Sequence, residues 1–128
     1  MNATGTKTLT TVSDVAITAG PISAVLYASS SARDTDWFMR LVWIKADGKT
    51  FQLAERKIRA RFRTSMKKPE MLEPGKIYEY ALDLWHTGIT IPAGDSLRVE
   101  VTSASFPFFS RNLNTGGHNE EETKFVKA

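Results

Sequence analysis

Residues 72–109 read LEPGKIYEYALDLWHTGITIPAGDSLRVEVTSASFPFF, and the alternation inside them decides the fold. Within 76–85, Tyr78, Tyr80, Leu82 and Leu84 fall on one face, with Glu79 and Asp83 on the other. Within 96–102, Leu97, Val99 and Val101 oppose Arg98, Glu100 and Thr102. Successive side chains leave a strand on opposite sides, so a period of two over these lengths is that of half-buried antiparallel strands. The Leu72-Glu73-Pro74-Gly75 and Pro92-Ala93-Gly94-Asp95 segments that precede them are turns. Proline presets one turn dihedral and glycine admits a positive φ.

The flanking sequence repeats the pattern. Residues 1–12 are Thr-rich and weakly patterned, and read as a loose leader with at most a short strand around 9–12. Residues 22–28 (ISAVLYA) are apolar on both faces, which predicts a strand covered on both sides. Residues 29–36 (SSSARDTD) form a polar connection whose serines and aspartates favour a tight loop. Residues 37–46 carry Trp37, Met39, Leu41 and Trp43 on one face; Asp47-Gly48 then turns the chain into a return strand at 50–53. In 55–63, Ile58, Ala60 and Phe62 oppose Lys57, Arg59, Arg61 and Arg63. The 86–92 segment suggests a further short strand through Ile89 and Ile91, residues 110–122 are a loop by composition, and 124–128 begin another strand. No helical period persists over a window of about 11 residues. Short strands between frequent turn signals predict an all-β, antiparallel jelly-roll β-sandwich, with a core of Trp37, Met39, Leu41, Trp43, Tyr78, Tyr80, Leu82, Leu84, Leu97, Val99 and Val101.

The 128 residues suffice for one domain, 1–128, and for a core without staples. With no cysteine there are no disulfides or thiolate metal sites, and a cytoplasmic location is expected. No apolar run approaches the ~20 residues of a membrane span, so no membrane partner is expected. Seventeen basic against 14 acidic residues leave a net charge of +3, which tolerates anionic partners without implying nucleic acid.

Catalytic patterns are missing. The two histidines, His86 and His118, accompany no nucleophilic serine motif, and no G-x-S-x-G occurs. Asp34-Thr35-Asp36 offers oxygens to a hard cation, but the later ligands of a calcium loop are absent, and capping or turn roles suit both aspartates better. No catalytic residue, cofactor or metal is therefore expected. The sharpest feature is basic: Arg56, Lys57, Arg59, Arg61, Arg63, Lys67 and Lys68 hold seven of the 17 cations. Four of them share a strand face, as a phosphate-tracking surface would require, yet no stacking aromatic joins that face. Pairing with carboxylates of an adjacent strand, which Glu79 and Asp83 could supply, or of a neighbouring domain is the plainer reading, and no specific nucleic acid partner is expected.

Six stretches in order, SSSARDTDWF, a DGK hairpin, KIRARFR, LEPGKIYEYALDLW, IPAGDSLRVEVTSASFP and RNLNTG, resemble the C-terminal domain of the X-Pro dipeptidyl-peptidase and cocaine-esterase family. The resemblance covers residues 15–117. It implies a jelly-roll sandwich related in shape to galactose-binding domains, following an α/β-hydrolase domain that carries the Ser-Asp-His triad. None of that triad lies in the matched stretch. The family domain also continues past residue 128 through a final strand. The resemblance thus implies a non-catalytic accessory domain that stabilises a hydrolase domain and shapes access to its active site. Arg59, Arg61, Arg63 and Trp85 are the residues expected to face that partner. A stand-alone module binding a small ligand or carbohydrate is the alternative. A chain lacking a terminal strand leaves an edge open, and pairing into a homodimer is the expected repair, with residues 1–12 filling the lane as the other route.

Overall fold

The computed structural model describes residues 4–127, with side-chain burial from residue 11 onward. Among the described residues six strands form two antiparallel sheets: β1 (Thr4–Thr11), β2 (Ala16–Ala28), β3 (Asp36–Ile44), β4 (Thr50–Arg59), β5 (Tyr78–Ile91) and β6 (Ser96–Thr102). One sheet has the order β1-β6-β3-β4; the other pairs β2 with β5. The only helical element among the described residues is a 3₁₀ turn, Ala60–Phe62.

The sheets face each other across one apolar layer. Trp37, Met39 and Leu41 of β3 meet Tyr80, Leu82 and Leu84 of β5, with Ala60 and Leu72 closing one end. Tyr78, Leu97, Val99 and Val101 pack against this layer as expected, while Trp43 sits at its rim, stacked on Phe51 and donating from Nε1 to Asp95 at 2.7 Å. The turn glycines adopt the conformations their positions demand: Gly75 and Gly94 have φ of 82° and 88°, and Gly48 in the β3–β4 hairpin has 86°. Loop 103–109 folds over the outer face of the larger sheet, where Phe109 covers Phe38 at 5.2 Å between ring centroids.

Several expectations change. Residues 4–11, expected to be loose, form a strand paired along β6. Residues 15–17 and 22–28 merge into β2, and 76–85 with 86–92 into β5, because a bulge carries each ladder past the Gly20-Pro21 break. There Ile22 alone opposes Leu84 and Trp85; Pro21 has no N–H to give and Gly20 takes φ 123°. The strand at 55–63 ends at Arg59. Residues 124–127 form no strand, although the Val126 amide donates to the Leu113 carbonyl at 2.9 Å; Ala128 lies outside the described residues. Finally, the outer face of β2 is exposed rather than covered.

Candidate functional site

Two features of the fold stand out: a buried charge cluster at one end of the sandwich and a bare apolar face on the smaller sheet.

The cluster begins in the polar loop before β3. Ser30 Oγ accepts the Ala32 amide at 3.0 Å, and the Ser30 and Arg33 carbonyls accept the Gly75 and Leu72 amides, both at 2.8 Å. So fixed, the loop drives Asp34 and Asp36 out of solvent altogether. Buried carboxylates need cations and donors. Asp36 takes Arg59 Nε at 2.9 Å, Lys57 Nζ at 3.0 Å and Asn112 Nδ2 at 2.9 Å. Asp34 takes Arg61 Nε at 2.7 Å, the Arg61 amide at 2.9 Å and the same Asn112 Nδ2 at 2.9 Å. The hydrogen bond to Asp36 holds the Arg59 guanidinium above its ordinary pKa. Arg63 lies next along the chain, donating to the Glu70 carbonyl at 2.6 Å and lying over the Tyr78 ring at 4.2 Å.

The basic row therefore finds carboxylates within the chain, but not the expected ones. Lys57 and Arg59 leave β4 toward Asp36, whereas Arg61 and Arg63 sit on and after the 3₁₀ turn, so no continuous cationic stripe forms. Glu79 instead accepts the Tyr27 hydroxyl at 2.8 Å, which raises that phenol's pKa. Asp83 accepts the Trp85 amide at 2.9 Å, satisfying the backbone group that the bulge frees. Asn112 joins both aspartates to the 110–122 loop, a role that its place in RNLNTG alone did not disclose. Among the described residues no group of three metal-ligating side chains converges.

The bare face is the outer side of the β2–β5 pair. Ile17, Val25 and Tyr27 of β2 and Trp85 of β5 stand 78%, 54%, 66% and 67% exposed. Trp85 also holds φ 70°, a left-handed conformation costly for a bulky residue. Of the four residues singled out by sequence, Trp85 belongs to this face, while the three arginines belong to the cluster at the sheet ends; among the described residues no hydrogen bond, salt bridge or ring stacking joins the two groups. Among the described residues no helix is long and apolar enough to cross a membrane.

Known proteins share this architecture. Residues 6–128 match the family described as the X-Pro dipeptidyl-peptidase C-terminal non-catalytic domain. Over 98 residues, 77% of the chain, the sequence is 41% identical to the cocaine esterase of Rhodococcus sp. (strain MB1 Bresler), of which it spans 17%. The aminopeptidase from the marine sediment archaeon Thaumarchaeota archaeon superposes with a TM-score of 0.81 at 26% identity, over 89% of this chain and 20% of that one. An α-amino acid ester hydrolase shares the fold at a TM-score of 0.79 and 23% identity, again over 89% and 20%. The chain thus spans about a fifth of the length of the enzymes it matches. An antiparallel sandwich with its buried aspartates paired internally, matched along nearly its whole length, places this chain in the family of X-Pro dipeptidyl-peptidase C-terminal non-catalytic domains.

Proposed function

We propose that this chain is an accessory domain that docks an α/β-hydrolase domain through the outer face of the β2–β5 sheet, stabilising it and shaping the approach to its active site, without catalysis of its own. One observation carries the reading: a strand that is apolar on both faces, β2, is covered on one only. Large apolar side chains left exposed along one strand of a sandwich mark a candidate interaction site, and tryptophan and tyrosine are the side chains that most often anchor one. The buried cluster serves this face indirectly. It fixes where β2 ends and β5 begins, and so sets the orientation of the smaller sheet. Arg59, Arg61 and Arg63 act there as a clasp beside the partner, and Trp85 meets it.

The test mixes this chain with a family hydrolase domain, such as that of the Rhodococcus esterase, lacking its own C-terminal domain. Calorimetry is expected to show association that Val25→Asp and Trp85→Gly each weaken at least about tenfold, the effect of losing an anchor residue. No association, or association indifferent to both changes, refutes the proposal. The chain alone is expected to turn over neither p-nitrophenyl esters nor Xaa-Pro amides above a heat-killed control, and turnover would overturn the non-catalytic part. Selective binding on a glycan array without hydrolase binding would move the reading to a small-ligand module.

A further inference from the structure

The smaller sheet is set apart by charge as well as by exposure. The 13 residues of β2 and the 14 of β5 include no lysine or arginine, so all 17 of those cations lie elsewhere in a chain of net charge +3. Counting histidine as neutral, the charged side chains of the two strands are Glu79 and Asp83. Both are exposed and alternate along β5 with the buried Tyr80, Leu82 and Leu84, so both stand on the outer face. A basic protein thus presents one acidic side, and that side also carries Val25, Tyr27 and Trp85.

Each carboxylate is held through one oxygen and offers the other. Glu79 accepts the Tyr27 hydroxyl through Oε2 at 2.8 Å, and Asp83 accepts the Trp85 amide through Oδ1 at 2.9 Å. Glu79 Oε1 and Asp83 Oδ2 have no partner among the described residues; Arg56, across the groove that borders β5, makes no ion pair with Asp83. The two carboxylates stand four residues apart, about 13 Å on a strand rising ~3.3 Å per residue. Val25 and Ala81, paired across the two strands, form the apolar centre between them.

Carboxylates fixed at both ends of an apolar centre cost a neutral partner the desolvation of two charges. A second copy fares worse, because a two-fold contact through this face sets an acidic surface against itself. A cationic partner turns both carboxylates into attractive contacts. The Asp83 end is the better formed. Its bond to the Trp85 amide, two residues on, keeps carboxylate and indole side by side. A cation seated there reaches a free carboxylate oxygen and an aromatic ring together. On the basis of hydrolase docking at this face, we propose that the hydrolase surface that meets it is cationic, with one arginine or lysine seated between the Trp85 indole and the Asp83 carboxylate.

The probe is the hydrolase domain of the Rhodococcus esterase lacking its own C-terminal domain, with association followed by stopped flow. Wild-type association is expected to slow as salt rises. Glu79→Gln combined with Asp83→Asn removes both charges yet keeps an acceptor oxygen for the Tyr27 hydroxyl and the Trp85 amide. This double variant is expected to associate at least about tenfold more slowly at low salt. The difference is expected to vanish near ~1 M salt, where the Debye length is about 3 Å. Asp83→Asn alone is expected also to speed dissociation at least about threefold, because the seated cation loses its counter-charge. Independently of any hydrolase, Asp83→Asn is expected to lower caesium quenching of Trp85, the most exposed of the tryptophans, and to raise iodide quenching. Docking that is indifferent to salt and to both substitutions, or that tightens when the charges are removed, overturns the cationic partner and leaves hydrolase docking standing. A hydrolase domain that fails to bind the wild type overturns both. Quenching unchanged by Asp83→Asn overturns the seat whatever the hydrolase does. Sedimentation showing a dimer that Val25→Asp breaks gives the face to a second copy and overturns the proposal as well.

Discussion

Removing the Asp36 carboxylate is the most searching test of what ties β3 and β4 to the 110–122 loop. The side chain is fully buried and takes two cations and one amide. Asp36→Ala strands Lys57 and Arg59, whose side chains are 22% and 23% exposed. Breaking a buried pair from one side costs about 3–5 kcal/mol, chiefly because the other charge is left unpaired. Partial exposure of the two cations lets water relieve some of that cost, so the lower end, about 3 kcal/mol, is expected. For a chain of this size that is a fall in Tm of roughly 10 °C. Asp36→Asn keeps one acceptor oxygen and is expected to cost about 2 kcal/mol, the worth of hydrogen bonds to a charged group. Urea denaturation measures both. The mechanism is separable from mere loss of contacts by a double-mutant cycle: Asp36→Ala with Arg59→Ala should cost less than the two single changes together, by about 1 kcal/mol or more. A single-mutant cost under about 1 kcal/mol, or strict additivity, would show that stranded charge is not what the cluster guards against.

Among the described residues the buried Tyr80 hydroxyl has no hydrogen-bond partner, and burial raises its pKa; Tyr80→Phe is therefore expected to be neutral or stabilising within about 1 kcal/mol by urea denaturation, whereas Leu82→Ala in the same layer should cost about 2–5 kcal/mol. Trp85→Gly relieves the φ of 70° and is expected to raise stability by about 1 kcal/mol while weakening hydrolase docking, so a loss of stability would deny the strain. Tyr27 has a raised folded-state pKa through its bond to Glu79. Its stabilising effect is thus fully present below the ordinary phenol value of about 10 and is lost as pH rises through the higher folded value. Ultraviolet titration of Tyr27→Phe should lose one of the phenolate steps above the ordinary value, and a titration curve unchanged above that value would deny the assignment.

What the sequence alone determined is the local geometry. Strand β6 runs from Ser96 to Thr102 as its alternation requires, because a pleat with one buried face writes its period directly into the residues. The turns at Gly75 and Gly94 and the hairpin at Gly48 were legible for the same kind of reason: their dihedrals belong to particular residue types. The order of six motifs also pointed to the family that residues 6–128 match. Tertiary structure decided the rest. Alternation cannot tell whether an apolar face will be covered, so β2 read as a central strand although its outer side is bare. A row of cations shows no partners in sequence. Arg59 finds Asp36 23 residues away, and Asn112 reaches the same carboxylate across 76, where Glu79 and Asp83 had been the nearer candidates by strand face. The bulge at Trp85 depends on what stands opposite it, the Gly20-Pro21 break in another strand. Pairing of that kind is a property of two distant segments brought together, and no local period records it.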